Sequence, residues 1–480
     1  MAGMGLWRHV AVALAVLFVG VSHPIAAWSQ ENEVHNLNTE GVRLRKAGKY
    51  AEAEPFFRRA VELADRKLRQ DHPHVRTVTY NLGMTFTDLG RYAEAEPLLK
   101  RSIALSEKAQ GPNGEEVAAP VDSLARLYRE QGRYADAEPL YKRALAIREK
   151  TLGPNHILVS YSLGNLANLY TNQDKYEEAE PLLRRALAIS EIASGRESED
   201  VGRALNRLAE VYGTLRRYPE AMALHRRSAA IMEKAVGPDH PSLALVLGNA
   251  AIQYAASGLD AEAEPLMKRA LAIKEKAYGP NHVSVWYSLN SLADLYTKQK
   301  RYAEAEPLYK RSLGLAESAL GGEHPLVANS LFSLASLYTY QKRFSDAEPL
   351  VLRSVAINEK TLGQDHGKTA NALLVLSYFY FKQSAWDRSV EPMRRSVEIE
   401  VRLAQRNAIA GAQGQRISNK RTAASGNFKG FAKINYRLAT DKGADASALA
   451  ASTFEIAQRV FASNTADSLA QMGLPAISRG

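Results

Sequence analysis

The sequence predicts an all-α chain, a solenoid of about nine helix-turn-helix repeats followed by a short helical tail. The string A-E-A-E-P, or a close variant, recurs at Pro55, Pro97, Pro139 and Pro181, then at Pro265, Pro307 and Pro349, in 42-residue steps apart from a gap at 223, where Ala223 stands. A second string keeps the same ruler: Gly153-Pro154-Asn155-His156, Gly237-Pro238-Asp239-His240 and Gly279-Pro280-Asn281-His282. Between the two strings, apolar residues fall at helical spacing, as with Leu163, Leu166, Ala167 and Tyr170. A fixed period of this length over most of a chain marks stacked repeats, each too small to bury its own apolar face.

The N-terminus comes first. Arg8 precedes an apolar stretch, Val10 to Val21, whose 12 residues suit a signal segment better than a membrane span. Ala27 and Ser29 place small residues before a cleavage point. The expectation is a signal peptide over 1–29, cut after Ser29, and a mature chain that is periplasmic or secreted.

The repeats occupy 30–404. In the fourth, a break at Gln173-Asp174-Lys175 separates a first helix from a second that carries Ala179, Leu183 and Ala186 on its buried side. Pro181 and its equivalents sit near the start of the second helix, where a missing N–H costs least. The paired acids there, such as Glu94 and Glu96, suit the positive end of the helix dipole. Gly153-Pro154 stops the helix, and Asn155 or Asp239 is placed to cap the next one. Ala167, Ala209, Ala251, Ala293 and Ala335 share one register of the first helix, and Ala179, Ala221, Ala263, Ala305 and Ala347 one register of the second. Small residues let paired helices approach closely. Phe86, Tyr128, Tyr170, Tyr212, Tyr254, Tyr296, Tyr338 and Tyr380 fill the space beside them.

The order Leu163, Leu166-Ala167, Tyr170, Ala179, Leu183, Ala186 resembles the tetratricopeptide repeat. The 42-residue unit with its Leu-Gly-Pro-Asn-His connection is similar to the longer form in kinesin light chains. The resemblance implies a right-handed superhelix whose first helices line a concave wall. It also implies that asparagines at Asn81, Asn165 and Asn249 contact an extended peptide. The candidate groove residues are Asn81, Arg126, Tyr161, Asn165, Asn206, Arg207, Asn249, Tyr287, Asn290, Ser291, Asn329 and Ser333. Asn both donates and accepts, so it can hold a peptide backbone, and Arg selects carboxylates. The same asparagines can instead bond a neighbouring repeat or sit solvated.

Catalysis and cofactors find no footing. The chain has no Cys, and no phosphate loop, nucleophile elbow or H-E-x-x-H string is present. Six His residues recur at the connections (His72, His156, His240, His282, His324 and His366), each a whole helix pair from the next, too far to share a metal. They read as turn or capping residues. The expectation is a non-enzymatic scaffold without cofactor or metal that binds a protein or peptide and no nucleic acid.

The tail ends the chain. Residues 405–426 read as a flexible basic linker with Lys420-Arg421, a contact for an anionic surface, and 427–480 as a helical tail; the exposed face of the last repeat is expected to be covered by the tail helices or by a second chain. Residues 405–480 hold ten Lys or Arg and four Asp or Glu, a net +6 of the whole chain's +10. Thr453–Gln458 and Ala466–Met472 resemble the segment that precedes a caspase-like CHAT domain, which is itself absent from the sequence. That resemblance implies an alternative, a regulatory subunit for a separate peptidase.

Overall fold

A computed structural model describes residues 31–410 and 430–438, with single residues at 440, 445, 449 and 453. Among them every regular element is helical. Helix α1 spans 31–46. It is followed by α2 (Tyr50–Lys67), α3 (Pro73–Asp88), α4 (Tyr92–Gln110), α5 (Glu115–Glu130), α6 (Tyr134–Leu152), α7 (Ile157–Asn172), α8 (Tyr176–Ser194) and α9 (Glu199–Thr214). Then come α10 (Tyr218–Val236), α11 (Pro241–Ala256), α12 (Asp260–Tyr278), α13 (Trp286–Lys298), α14 (Tyr302–Leu320), α15 (Pro325–Tyr340), α16 (Phe344–Leu362), α17 (Gly367–Lys382) and α18 (Trp386–Ala410). A short helix, α19, covers 430–438. The expected signal segment, most of the linker and most of the tail lie outside the described residues.

The chain divides into two compact units. One holds the residues up to Leu127 with Leu140–His156; the other holds Tyr128–Pro139 with the residues from Ile157 onward. Within the second unit each helix packs on the next, and the first helices of successive repeats also touch: α7 with α9, α9 with α11, α11 with α13, and α13 with α15. This side-by-side row makes a continuous wall.

The small-residue registers are the reason the helices can close on one another. Ala167, Ala209, Ala251, Ala293 and Ala335, and Ala179, Ala221, Ala263, Ala305 and Ala347, are all fully buried. The turn between the two helices of a repeat takes a left-handed residue each time. Gly48, Gly90 and Gly258 hold it without strain, but Asp174, Arg216, Lys300, Lys342 and Ser384 adopt φ near +60° as side-chain-bearing residues.

Three local expectations are refined. The proline lies in the second turn, not the first: Pro55 is inside α2, which begins at Tyr50, so each such helix gives up one interior hydrogen bond. The connection histidine, not the acid before it, caps the following helix. His240 Nδ1 accepts from Ser242 N at 3.2 Å, His282 Nδ1 from Ser284 N at 3.0 Å and His366 Nδ1 from Lys368 N at 3.0 Å. Asp239 instead pairs with Lys276 on α12.

The second acid of the A-E-A-E-P string does more than answer the helix dipole. Glu264 accepts from the Tyr296 hydroxyl at 3.2 Å and from Arg301 at 2.7 Å, and Glu306 accepts from Tyr338 at 3.0 Å and Arg343 at 2.9 Å. Each arginine lies over the same tyrosine ring, 4.1 Å from the centroid for Arg301 and 4.0 Å for Arg343. The acid, ring and guanidinium clasp one repeat to the next.

At the C-terminal end, α18 runs through Ala410 into the stretch expected as linker. Helix α19 buries Phe431, Ile434 and Leu438 against Met393, Val397 and Val401 of α18.

Candidate functional site

The polar residues of the first helices fall into three groups. In the first unit they satisfy one another. Asn81 Nδ2 donates to Asn38 Oδ1 at 2.7 Å, tying α3 to α1. Arg126 and Arg45 both donate to Asp88, at 2.8 and 2.7 Å, and the Tyr80 and Ser123 hydroxyls are 3.0 Å apart. Asn81 is buried, so its amide serves the packing of α1 and α3.

The stretch of wall from α7 to α11 in the second unit is also self-paired. Tyr161 donates to Asp200 at 2.7 Å, and Arg203 donates to Asp200 at 2.7 Å and to Glu199 at 3.1 Å. Asn206 donates to Glu210 at 2.7 Å, and Asn249 donates to the same oxygen, so one carboxylate joins α9 to α11. Burial pushes the Glu210 carboxyl up to about 7, against the opposing pull of Arg207 and the two amides. Arg207 takes the space over Gly164, where a Cβ would come 1.8 Å from its Nη1. Asn165 is half-buried on α7.

The third group is open. Helices α11, α12, α13 and α15 enclose a cleft of about 510 Å³, and Tyr287, Asn290, Ser291, Asn329 and Ser333 all line it. Ile252, Met267 and Trp286 supply apolar walls, and Asp294 and Lys298 also line it. Asn290 is fixed from behind: its amide donates to Trp286 O at 2.9 Å and its oxygen accepts from Ser312 at 3.3 Å. Ser291 back-bonds to Tyr287 O at 3.0 Å. Lys298 donates to Asp260 and to Ala255 O, both at 2.7 Å. Asn329 and Ser333 are half-buried, and no hydrogen bond holds their side chains among the described residues. Tyr287 is 41% exposed.

Five of the twelve expected residues therefore share one cleft, five lie on α7, α9 and α11, and Asn81 and Arg126 lie in the first unit. The sequence reading missed Asp294 and Glu210. Both stand three residues after the groove register, where other repeats carry Met84, Arg126, Asn168, Ile252 and Ser336. A carboxylate at that place in only two repeats was the available signal. Among the described residues no group of three or more metal-ligating side chains is placed to hold an ion, and no helix is long and apolar enough to cross a membrane.

The tetratricopeptide repeat model matches residues 37–108, 115–192, 200–276 and 283–360. The chain belongs to the tetratricopeptide repeat family. Tetratricopeptide repeat proteins are in general scaffolds for protein–protein interaction, and this chain is a repeat scaffold. Among solved structures it is similar to a Podosopora anserina protein assigned as a kinesin light chain with nearly identical TPR-like repeats: 25% identity, 42% of this chain and 95% of that one, TM-score 0.38. It is also similar to BtubC of P. vanneervenii: 23% identity, 51% of this chain and 92% of that one, TM-score 0.39. A Rap protein complexed with competence and sporulation factor shares the fold over 78% of this chain and 99% of its own, at 15% identity and TM-score 0.51. No curated protein matches the sequence.

Proposed function

We propose that the chain is an exported scaffold that holds an extended peptide, or an extended segment of a protein partner, in the cleft between α11 and α15. One observation carries the reading. Asn329 and Ser333 keep their hydrogen-bonding capacity in a cleft walled by Trp286, Met267 and the half-exposed Tyr287, whereas Asn81, Asn206 and Asn249 bond within the protein. An amide and a hydroxyl beside apolar area suit a peptide backbone and its side chains. The Rap structure was solved with competence and sporulation factor, so a ligand-bound relative of this fold is consistent with the reading.

The test is an in-cell crosslinking pull-down with the full chain, the Asn329→Ala/Ser333→Ala variant and a deletion of 427–480. A discrete partner lost on the double substitution and kept on the deletion is the expected result. Capture that survives the double substitution and needs 427–480 would move the function to the tail. That result would favour the adaptor reading, in which the segment resembling the CHAT-preceding region pairs with a separate peptidase. Export rests on the Arg8 and Val10–Val21 pattern. Sequencing the mature N-terminus from the periplasmic fraction should begin at Gln30, and an intact Met1 in the cytoplasm would sink it.

A further inference from the structure

Asp294 is the one carboxylate lining the cleft. It forms no ion pair with any described residue. One of its oxygens accepts from the buried Tyr309 hydroxyl at 2.5 Å, which fixes the carboxylate from the core side. Lys298, one helical turn away, is held by Asp260 and Ala255 O. Lys274, on α12, approaches the Tyr287 ring at 5.6 Å and makes no bridge to Asp294. Asp294 is exposed to the cleft, and desolvation there pushes its carboxyl upward, with the Tyr309 bond opposing. Tyr287 lies within the influence of two carboxylates, Glu210 and Asp294.

Part of the wall around this charge is apolar. Ile252, Met267 and Trp286 line the same space, and Tyr287 presents an exposed ring. A long aliphatic stem with a cationic head matches that arrangement: the stem lies on apolar surface while the head meets the acid. A guanidinium can also stack on the tyrosine.

We propose, building on the peptide-binding reading above, that the cleft selects a basic side chain, arginine or lysine, of the bound peptide, with Asp294 as its counter-ion and Tyr309 as the residue that positions Asp294. Selection lives in one repeat because the corresponding position elsewhere holds Met84, Arg126, Asn168, Ile252 or Ser336, and the other carboxylate there, Glu210, is already taken by Asn206 and Asn249. The amide and hydroxyl of Asn329 and Ser333 hold the backbone without regard to sequence, and Asp294 supplies the preference.

The test immobilises the full chain and probes it with decapeptide pools that fix arginine, lysine, leucine or glutamate at each position in turn. Arginine- and lysine-fixed pools should be retained about tenfold over glutamate-fixed pools, and added salt should narrow the gap. Asp294→Asn keeps the shape and an acceptor for Tyr309, and it should erase the preference while retaining residual binding of all pools. Asp294→Ser, the residue found at position 336, guards against a folding artefact of the first variant. Asp294→Arg should turn the preference towards glutamate. A basic preference that survives Asp294→Asn and Asp294→Ser, or a glutamate preference in the parent, overturns the inference while leaving peptide binding intact. If no pool binds the parent above a blank surface, the peptide-binding reading falls and this inference with it.

Discussion

In the first unit Asn81 gives its amide to Asn38, and Arg126 gives its guanidinium to Asp88. In the α13–α15 cleft the same two repeat positions hold Ser333, which bonds to nothing described, and Asp294, which meets no cation. The two regions share a backbone register and an apolar framework, yet one has closed its polar groups on itself and the other leaves them facing a cavity. The repeat position determines only where a side chain can point. Whether it is available depends on what the neighbouring repeat offers, because a buried donor or acceptor takes any partner within reach.

The contrast can be tested from its largest expected effect downward. Ala293→Leu probes the framework common to both regions. Ala293 is fully buried, so overpacking should lower stability by about 1–3 kcal/mol in thermal or denaturant unfolding. An unchanged transition would mean that the helix pair has slack at the small-residue register.

Asn81→Ala probes the closed region. It leaves the Asn38 oxygen without its donor, and the expected cost is about 1–2 kcal/mol. If denaturant unfolding shows no loss, the first unit's polar pairs are not structural and the comparison collapses.

Glu210 probes the self-paired stretch by pH. Its carboxyl is raised from 4.5 to about 7 by burial, so the folded chain keeps the proton after the unfolded chain has lost it. Stability from this group is complete below about 4.5 and is lost as pH rises through about 7. His225 and His366 are both pulled down to about 4 by burial and act in the opposite sense, adding stability as pH rises from about 4 to 6.5. The useful reading is therefore the difference between the parent and Glu210→Gln across pH 5 to 8. The parent should lose ground to the variant by at most about 1.4 kcal/mol per pH unit. A flat difference would show that Glu210 is ionised throughout.

Asn329→Ala and Ser333→Ala probe the open cleft and should be the mildest, within about 0.5 kcal/mol of the parent in unfolding experiments. A cost as large as that of Asn81→Ala would reveal a structural bond and remove the distinction between the two regions.

Much of the fold was legible because a 42-residue period repeats its own signals. Ala293, Ala305 and Tyr296 reveal their packing by recurring, and Gly153 and Gly237 mark helix ends by their left-handed requirement, met at φ 89° and 94°. The recurring histidine read correctly as a turn or capping residue, but the choice between it and the acid before it was less legible. Asp239 is the better capping residue on general grounds, and only the placement of Lys276 shows why the acid turns away and His240 takes its role. The clasp built on Glu264 was hidden for a related reason: its partners Tyr296 and Arg301 lie more than thirty residues downstream and meet it only when repeats stack.

What the sequence by itself determined is the repeat, the helical pairing and the list of positions that face the wall, because period and side-chain size act locally and recur. What only the tertiary structure decided is which of those positions remain open. Asn206 and Asn249 converge on Glu210, Arg207 fills the space over Gly164, and Asp294 is held by Tyr309 beside a cavity. Those outcomes depend on distances between different repeats, and a hydrogen bond forms or fails within a few tenths of an ångström, a scale that spacing along a chain does not carry.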